Sequence, residues 1–302
     1  MRSEWLLRAI LVEGTRRVVA VHASRSERGA NESWPILVIS LDDATERRQR
    51  IEKTLGELGL EFEFVSAVDG RTGIPPHLQH RVDPVSARIA LGRPMIDTEF
   101  ACALSHILCY ERIIDSGLPG AIILEDDAEI DTAFLQFLKL RGYARFAFVQ
   151  FDYNAPVVWS RWLGLNWRVG EIRLLRLVFN APLATGYSLS SRAAQYLLEN
   201  VKPVRLPADW PCDMTRLSAM VTVPRLVRSW AQGSSQSYIA TDRGRVRKGS
   251  GALSQREAET TGGVDRHIGK GVVKDRRNPI PSGFRFWRRG LTKRLRRPEE
   301  RS

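Results

Sequence analysis

Ile122-Ile123-Leu124-Glu125-Asp126-Asp127 is the stretch whose reading decides the fold. A short apolar run bounded by three carboxylates predicts a buried strand that delivers acid to one edge of a sheet. Three adjacent anions repel one another, so a positive partner is expected beside them, most simply a divalent cation. Mg²⁺ or Mn²⁺ takes carboxylate oxygens and commonly shares its remaining positions with substrate phosphates. If the strand continues through the cluster, Glu125 and Asp127 face one side and Asp126 the other. A solvated acidic loop is the competing reading of the same residues.

The surrounding sequence supplies the context. Pro35-Ile36-Leu37-Val38-Ile39-Ser40-Leu41 reads as a buried strand, Asp42 to Thr45 as a turn, and Glu46 to Leu58 as a helix with Ile51, Leu55 and Leu58 on one stripe. Phe62 to Val65 gives a second strand that ends at Val68-Asp69-Gly70. Such a strand–helix–strand series predicts an α/β fold, with a mostly parallel central sheet flanked by helices. Residues 71–96 carry several prolines and read as a loop. Asp97-Thr98 can cap a helix that runs to about Ser116. Ala147 to Phe151 and Thr185 to Ser190 are further strands, Ser191 caps a helix through Leu198, and 221–224 and 226–227 are strand-like. The Trp-rich span 159–176 fits no single pattern.

Composition limits the partners. The 302 residues, 43% of them hydrophobic, suffice for a full core. No run approaches the about 18 apolar residues of a membrane-spanning helix. Residues 5–12 are too short, and interrupted by Arg8, to span, and they make a poor signal peptide because no small-residue cleavage site follows an adequate apolar region. Cys102, Cys109 and Cys212 are odd in number and lack metal-ligand spacing, which suits buried thiols in a reducing, cytoplasmic setting. Of the 46 basic and 34 acidic residues, 18 and 7 lie in 241–302, leaving the preceding 240 residues at 28 and 27. The net charge of +12 therefore belongs to the tail. A protein that reads nucleic acid usually spreads basic charge over a folded face, so no nucleic-acid partner is expected. The expected organisation is a variable extension at 1–33, a catalytic domain at 34–240 and a basic tail at 241–302. On a helix, Phe284, Trp287, Leu291 and Leu295 would form an apolar stripe beside a basic face. That makes 284–297 a candidate for peripheral attachment to an anionic membrane surface; a basic arm for nucleic acid is the alternative.

Open parallel sheets bind ligands at the carboxyl ends of their strands. Ser40-Leu41-Asp42, Asp69-Gly70, Glu125-Asp126-Asp127 and Asp152 all fall at such ends, and an acidic corner with a cation suits a diphosphate-linked donor. The segments VISLDDATERRQRI (38–51), EFACALSH (99–106), GLPGAIILEDD (117–127), TGYSLSSRAAQYLL (185–198) and LPADW (206–210) resemble, in order, glycosyltransferase family 25, particularly its bacterial lipooligosaccharide β-galactosyltransferases. The resemblance implies a GT-A-like nucleotide-sugar-binding fold and a UDP-sugar donor. It also implies Mn²⁺ (or Mg²⁺), inversion at the anomeric carbon, and a lipid-linked glycan acceptor at the inner face of the cytoplasmic membrane.

Carried onto this chain, Asp127 and Glu125 would contact the metal, with Asp126 beside them on the donor diphosphate. Ser40, Leu41, Asp42, Asp69 and Gly70 would hold the nucleotide, and Arg47 or Arg48 would reach a phosphate, Arg48 being carried as the donor ligand. Glu99 and His106, on one helix face, would shape the donor or acceptor site. Asp209 is the candidate general base, with Asp213 and Asp152 as rivals. Two departures from the family's commoner pattern, Ala101 for Gly and Ser40 for Asn, leave the fold assignment intact. A transferase fold that serves in assembly without catalysis is a further alternative.

Overall fold

Ile36–Ser40 forms β1, and every residue of it is buried. Leu37 and Ile39 join one hydrophobic cluster while Ile36 and Val38 join another, so the strand is apolar on both faces. A strand with packing layers on both sides requires that composition. Gly120–Glu125 (β3) repeats the arrangement, with Ala121 and Ile123 in the first cluster and Ile122 and Leu124 in the second. These features come from a computed structural model that describes residues 33–159, 165–231 and 292–294. The chain divides into two units, Met1–Glu32 and Ser33–Ser302, of which the first lies outside the described residues.

β1 pairs in parallel with Glu63–Ser66 (β2) on one side and with β3 on the other. Thr45–Glu57 (α1) crosses from β1 to β2 and buries Ile51 and Leu55, the stripe read from its periodicity. The stretch expected as a loop is partly helical: a 3₁₀ turn at Pro76–Arg81 precedes Pro84–Leu91 (α2). Proline is the reason for both outcomes. Pro76 and Pro84 stand at first helical positions, where a missing N–H costs nothing, and the Asp83 side chain accepts from Ser86 N to cap α2. Asp97–Asp115 (α3) follows, with Phe100, Leu104, Ile107 and Tyr110 packed into the first cluster.

After β3 come Ala128–Ile130 (β4), Thr132–Lys139 (α4), Phe148–Gln150 (β5), Val157–Trp159 (β6), Asn166–Val169 (β7) and Ile172–Arg176 (β8). The unclassified Trp-rich span thus contains strands, two of which, β7 and β8, form an antiparallel pair. Gly186–Ser190 (β9) leads directly into Ser191–Val201 (α5), whose cap is Ser190 rather than Ser191, through Oγ accepting from Ala193 N. Met220–Val223 (β10) and Val227–Ser229 (β11) complete the series. The main sheet has eight strands in the order β2-β1-β3-β9-β5-β10-β8-β7. Its first three strands are parallel; β9 runs antiparallel to both β3 and β5, and the far end is antiparallel except where β10 meets β5. The fold is therefore mixed α/β with a central sheet flanked by helices, and its parallel corner contains the strand ends singled out in the sequence.

Thr292–Arg294 (β12) pairs antiparallel with β6. Those three residues are strand, so the helical stripe expected over 284–297 is interrupted there; the rest of that segment and of the basic tail lies outside the described residues. Among the described residues no helix is long and apolar enough to cross a membrane.

Gly70, in the turn after β2, packs against the start of α3. A Cβ at this position would stand 2.6 Å from Asp97 O and 2.7 Å from Ala101 Cβ, inside backbone and a packed methyl that cannot both give way. Gly70→Ala should therefore lower the melting temperature, by about 4 °C or less for each 1 kcal/mol lost in a chain this long. Unchanged melting would show that the 69–71 turn is not seated on α3.

Candidate functional site

Because β1, β2 and β3 are parallel neighbours, their carboxyl ends open on one side, and a cleft of about 160 Å³ lies there. Ser40 and Leu41 from β1, Asp69 and Gly70 after β2, and Glu125, Asp126 and Asp127 after β3 all line it. His106 reaches it from α3, where it is 2% exposed. Eight of the positions carried from the sequence thus meet in one place.

The acidic triplet is not a continuous strand. β3 ends at Glu125, and Asp126-Asp127 form the turn into β4, so the side chains diverge instead of alternating. Asp126 accepts from Ser40 Oγ at 2.8 Å and from Arg47 Nη1 at 2.7 Å. Asp127 accepts from Ser229 Oγ at 2.7 Å, and Arg47 Nη2 lies 3.9 Å from the same oxygen. Glu125 Oε1 lies 3.2 Å from His106 Nε2. Burial pushes all three carboxyls above the ordinary carboxylate range, against the lowering pull of His106 on Glu125, Arg47 on Asp126 and Ser229 on Asp127.

The positive partner expected from the sequence is in part Arg47, from the first turn of α1. Arg48, carried as the donor ligand, instead lies over the Phe64 ring and 3.3 Å from Asp42, and does not line the cleft. One residue along a helix turns a side chain by about a quarter of a circle, which is why two adjacent arginines differ so completely. Asp42 is likewise outside, bound by Ser66 Oγ at 2.8 Å. Glu99 is spent on the start of α3: it accepts from Ile96 N at 3.0 Å and pairs with Arg93 at 2.7 Å. It therefore caps the helix that Asp97-Thr98 was expected to cap, and does not face the cleft.

The residues present fit a cation. Three carboxyls crowd around one guanidinium, and Asp127 Oδ1 is buried with no hydrogen-bond partner. Asp127 would hold the ion, with Glu125 beside it. Arg71, also in the lining, chelates Asp69 through Nε and Nη2 and reaches Asp43 at 2.7 Å, and it holds the Asp69 carboxyl below the usual carboxylate range. Thr98 Oγ1, also in the lining, is buried without a partner.

Three candidate bases separate cleanly. Asp213 caps a 3₁₀ turn by accepting from Thr215 N and Oγ1. Asp152 is 0% exposed, with Arg225 at 3.2 Å, and no acceptor can touch it. Asp209 is exposed, and its charge reaches Glu125, where it acts to raise the carboxyl. The loop that carries it is anchored by Trp210, which packs edge-on against Phe148 and Tyr187 and takes a left-handed backbone, φ 62°. Asn180 ties the same loop down, donating to Trp210 O and Cys212 O and accepting from Met214 N. A non-glycine residue held at positive φ by such contacts is a feature often found beside functional groups.

Arg71, Cys102, Tyr187 and Ser229 were not legible as site residues. Ser229 arrives because β11 pairs with β4, the strand that follows the triplet. Cys102 and His106 are four apart on α3, a ligand-compatible spacing that lies between a cysteine and a histidine and not between cysteines.

Residues 34–155 match the model of glycosyltransferase family 25 (LPS biosynthesis protein). Among curated proteins, the chain is 32% identical over 142 residues to a probable inactive glycosyltransferase 25 family member 3 of Rattus norvegicus, covering 44% of this chain and 24% of that one. It is 35% identical over 101 residues to the lacto-N-neotetraose biosynthesis glycosyltransferase LgtE of Neisseria gonorrhoeae, covering 33% and 35%. It is 25% identical over 185 residues to procollagen galactosyltransferase 1 of Danio rerio, covering 58% and 30%. The matched part thus spans between about a quarter and a third of the length of these relatives.

Asp152 gives the sheet end beneath the site a pH dependence. Burial raises its carboxyl from 3.8 to about 6, Arg225 acting in the opposite direction. Its folded pKa is above its unfolded one, so its favourable contribution is complete below pH 4 and is lost as the pH rises through about 6, about 3 kcal/mol in all. The stability of the native chain relative to Asp152→Asn should fall across pH 4 to 6. Parallel melting curves over that range would show that Asp152 is not desolvated.

Proposed function

We propose, from the match of residues 34–155 to glycosyltransferase family 25, that this chain is an inverting, metal-dependent glycosyltransferase that moves a hexose from a UDP-sugar onto a glycan acceptor. The observation that carries this reading is the acidic corner: Asp127, with one bare buried oxygen, beside Glu125, Asp126 and Arg47 at the ends of three parallel strands. Galactose is the preferred sugar, following the name of the zebrafish relative, and a lipopolysaccharide-type acceptor follows the description of the matched family.

In this reading the nucleotide lies along Ser40, Leu41, Asp69 and Gly70, and its diphosphate lies between Arg47 and Arg71. The chemistry supplied by Mn²⁺ (or Mg²⁺) at Asp127 and Glu125 is neutralisation of charge on the departing diphosphate. Asp209 accepts the proton of the acceptor hydroxyl as its oxygen bonds to the anomeric carbon and the carbon–oxygen bond to UDP breaks. The guanidinium of Arg47 holds Asp126 oriented, so the corner need not reorganise as charge moves. The basic stretch 241–302 attaches the enzyme to an anionic membrane surface from the cytoplasmic side, near a lipid-linked acceptor.

The test is transfer from UDP-galactose with and without Mn²⁺. Asp127→Asn should abolish metal-dependent donor turnover, and Asp209→Asn should lower kcat by about 10²- to 10⁴-fold while leaving the donor KM nearly unchanged. Full metal-dependent activity in Asp127→Asn would end the assignment. The match to a relative described as probably inactive favours a second reading, a fold that binds donor without turning it over. Thermal stabilisation by UDP-galactose with no product would select it. For the tail, the full chain should bind anionic vesicles in preference to duplex DNA at matched salt; preference for DNA would reverse that assignment.

A further inference from the structure

We propose that Cys102, His106 and Glu125 form a second metal site, one that takes a thiophilic divalent ion of the Zn²⁺ class, on the wall of the cleft opposite Arg47. One ligand atom from each of these residues lies within 4.8 Å of the other two, and among the described residues no other group of three His, Cys, Asp or Glu converges so closely. The acidic triplet itself does not, which separates the two sites: Asp127 belongs to the hard-cation corner, Glu125 borders both.

Three features fit a metal better than a simple hydrogen bond. First, Cys102 and His106 are one turn apart on α3, so a single rigid helix presents both. The same i, i+4 spacing lets one helix supply two histidines to zinc in other proteins. Second, the His106 Nε2 to Glu125 Oε1 separation is 3.2 Å. With Zn–N and Zn–O bonds of about 2.0 to 2.2 Å at tetrahedral angles, the corresponding ligand–ligand edge is about 3.3 to 3.5 Å. The pair is thus close to the distance such an ion requires, needing only a slight opening, while the sulfur must close in. Third, the outer partner of the histidine is in place. His106 Nδ1 lies 2.7 Å from Tyr187 OH, which is 3.1 Å from Tyr110 OH, all of them buried. With Nδ1 protonated and donating to Tyr187, Nε2 presents its lone pair to the cleft, the orientation that ligating histidines obtain from a second hydrogen bond.

A thiolate and an imidazole select Zn²⁺, Co²⁺ or Cd²⁺ over Mg²⁺ or Mn²⁺, so the two sites discriminate by ligand softness. Three protein ligands leave one tetrahedral position directed at the cleft, open to water or a phosphate oxygen. Because Glu125 would be shared with the donor corner, occupancy withdraws it from there. This last step rests on the proposed donor site; metal binding itself does not.

The experiment uses the purified full chain, stripped of metal, and Co²⁺ as the probe. Co²⁺ should bind with a near-ultraviolet thiolate-to-cobalt charge-transfer band, one equivalent of Zn²⁺ should remove the band, and excess Mn²⁺ should not. Cys102→Ala should lose the band. Tyr187→Phe, which keeps the packed ring and deletes only the hydroxyl, should weaken Co²⁺ affinity by about tenfold. A band that persists in Cys102→Ala, or that never forms in the native chain, overturns the site. The separate arm is the ratio of UDP-galactose turnover with and without Zn²⁺ at fixed Mn²⁺. That ratio should fall well below one in the native chain and return towards one in Cys102→Ala. A cobalt band without any such effect would keep the metal site and overturn its coupling to the donor corner, while absence of turnover in every chain would bear on the proposed function alone.

Discussion

Three carboxylates in sequence at the end of a strand buried on both faces form the constraint on which the rest of the site depends. Their neighbours in the sheet are apolar, so neither water nor the core can neutralise them. Each must find its own partner, and each finds one on a different element: Asp126 on β1 and α1, Asp127 on β11, Glu125 on α3. Burial of an unpaired charge is costly, so the triplet in effect fixes how those elements meet. The crowded carboxyls and one bare oxygen give the corner an affinity for positive charge that the protein leaves unsatisfied.

The same corner explains the layout of the helices. Ser105 Oγ accepts from Val68 N and donates to Ala101 O, joining the end of β2 to α3. Gly70 and Ala101 let that contact be close, and the helix then carries Cys102 and His106 into the cleft. His106 in turn is supported from behind by Tyr187 of β9, the strand that runs antiparallel to β3. Trp210 packs against the same tyrosine and holds the Asp209 loop. A single aromatic side chain therefore underlies both the histidine and the candidate base.

Much of this was legible in the sequence because the signals were local. Apolar runs ending in acid placed β1, β2, β3 and β5, and helical periodicity placed α1 and α3 to within a residue or two of their ends. The misreadings also share a cause. Arg48 and Arg47 are indistinguishable without the rotation of α1 on the sheet, and Glu99 looked like a ligand because its cap partner is a backbone N–H, which the sequence does not mark. Residues 71–96 hid short helices behind their prolines, and the span 159–176 hid a β7–β8 hairpin whose remaining partner, β10, lies far along the chain. Ser229 could not be found at all, since its place depends on the pairing of β11 with β4.

That pairing has a consequence for biogenesis. The acidic triplet is translated about a hundred residues before Ser229 and Trp230, which meet it through the Asp127 side chain and backbone carbonyl. Domains assemble from the amino terminus as they leave the ribosome. During synthesis the sheet corner can therefore form around β1, β2 and β3 while Asp127 still lacks its serine. The cleft acquires its final electrostatics only when β11 docks on β4. Completion of the polar corner is thereby tied to synthesis of β11, and a nascent fragment that ends before it carries Asp127 without its serine.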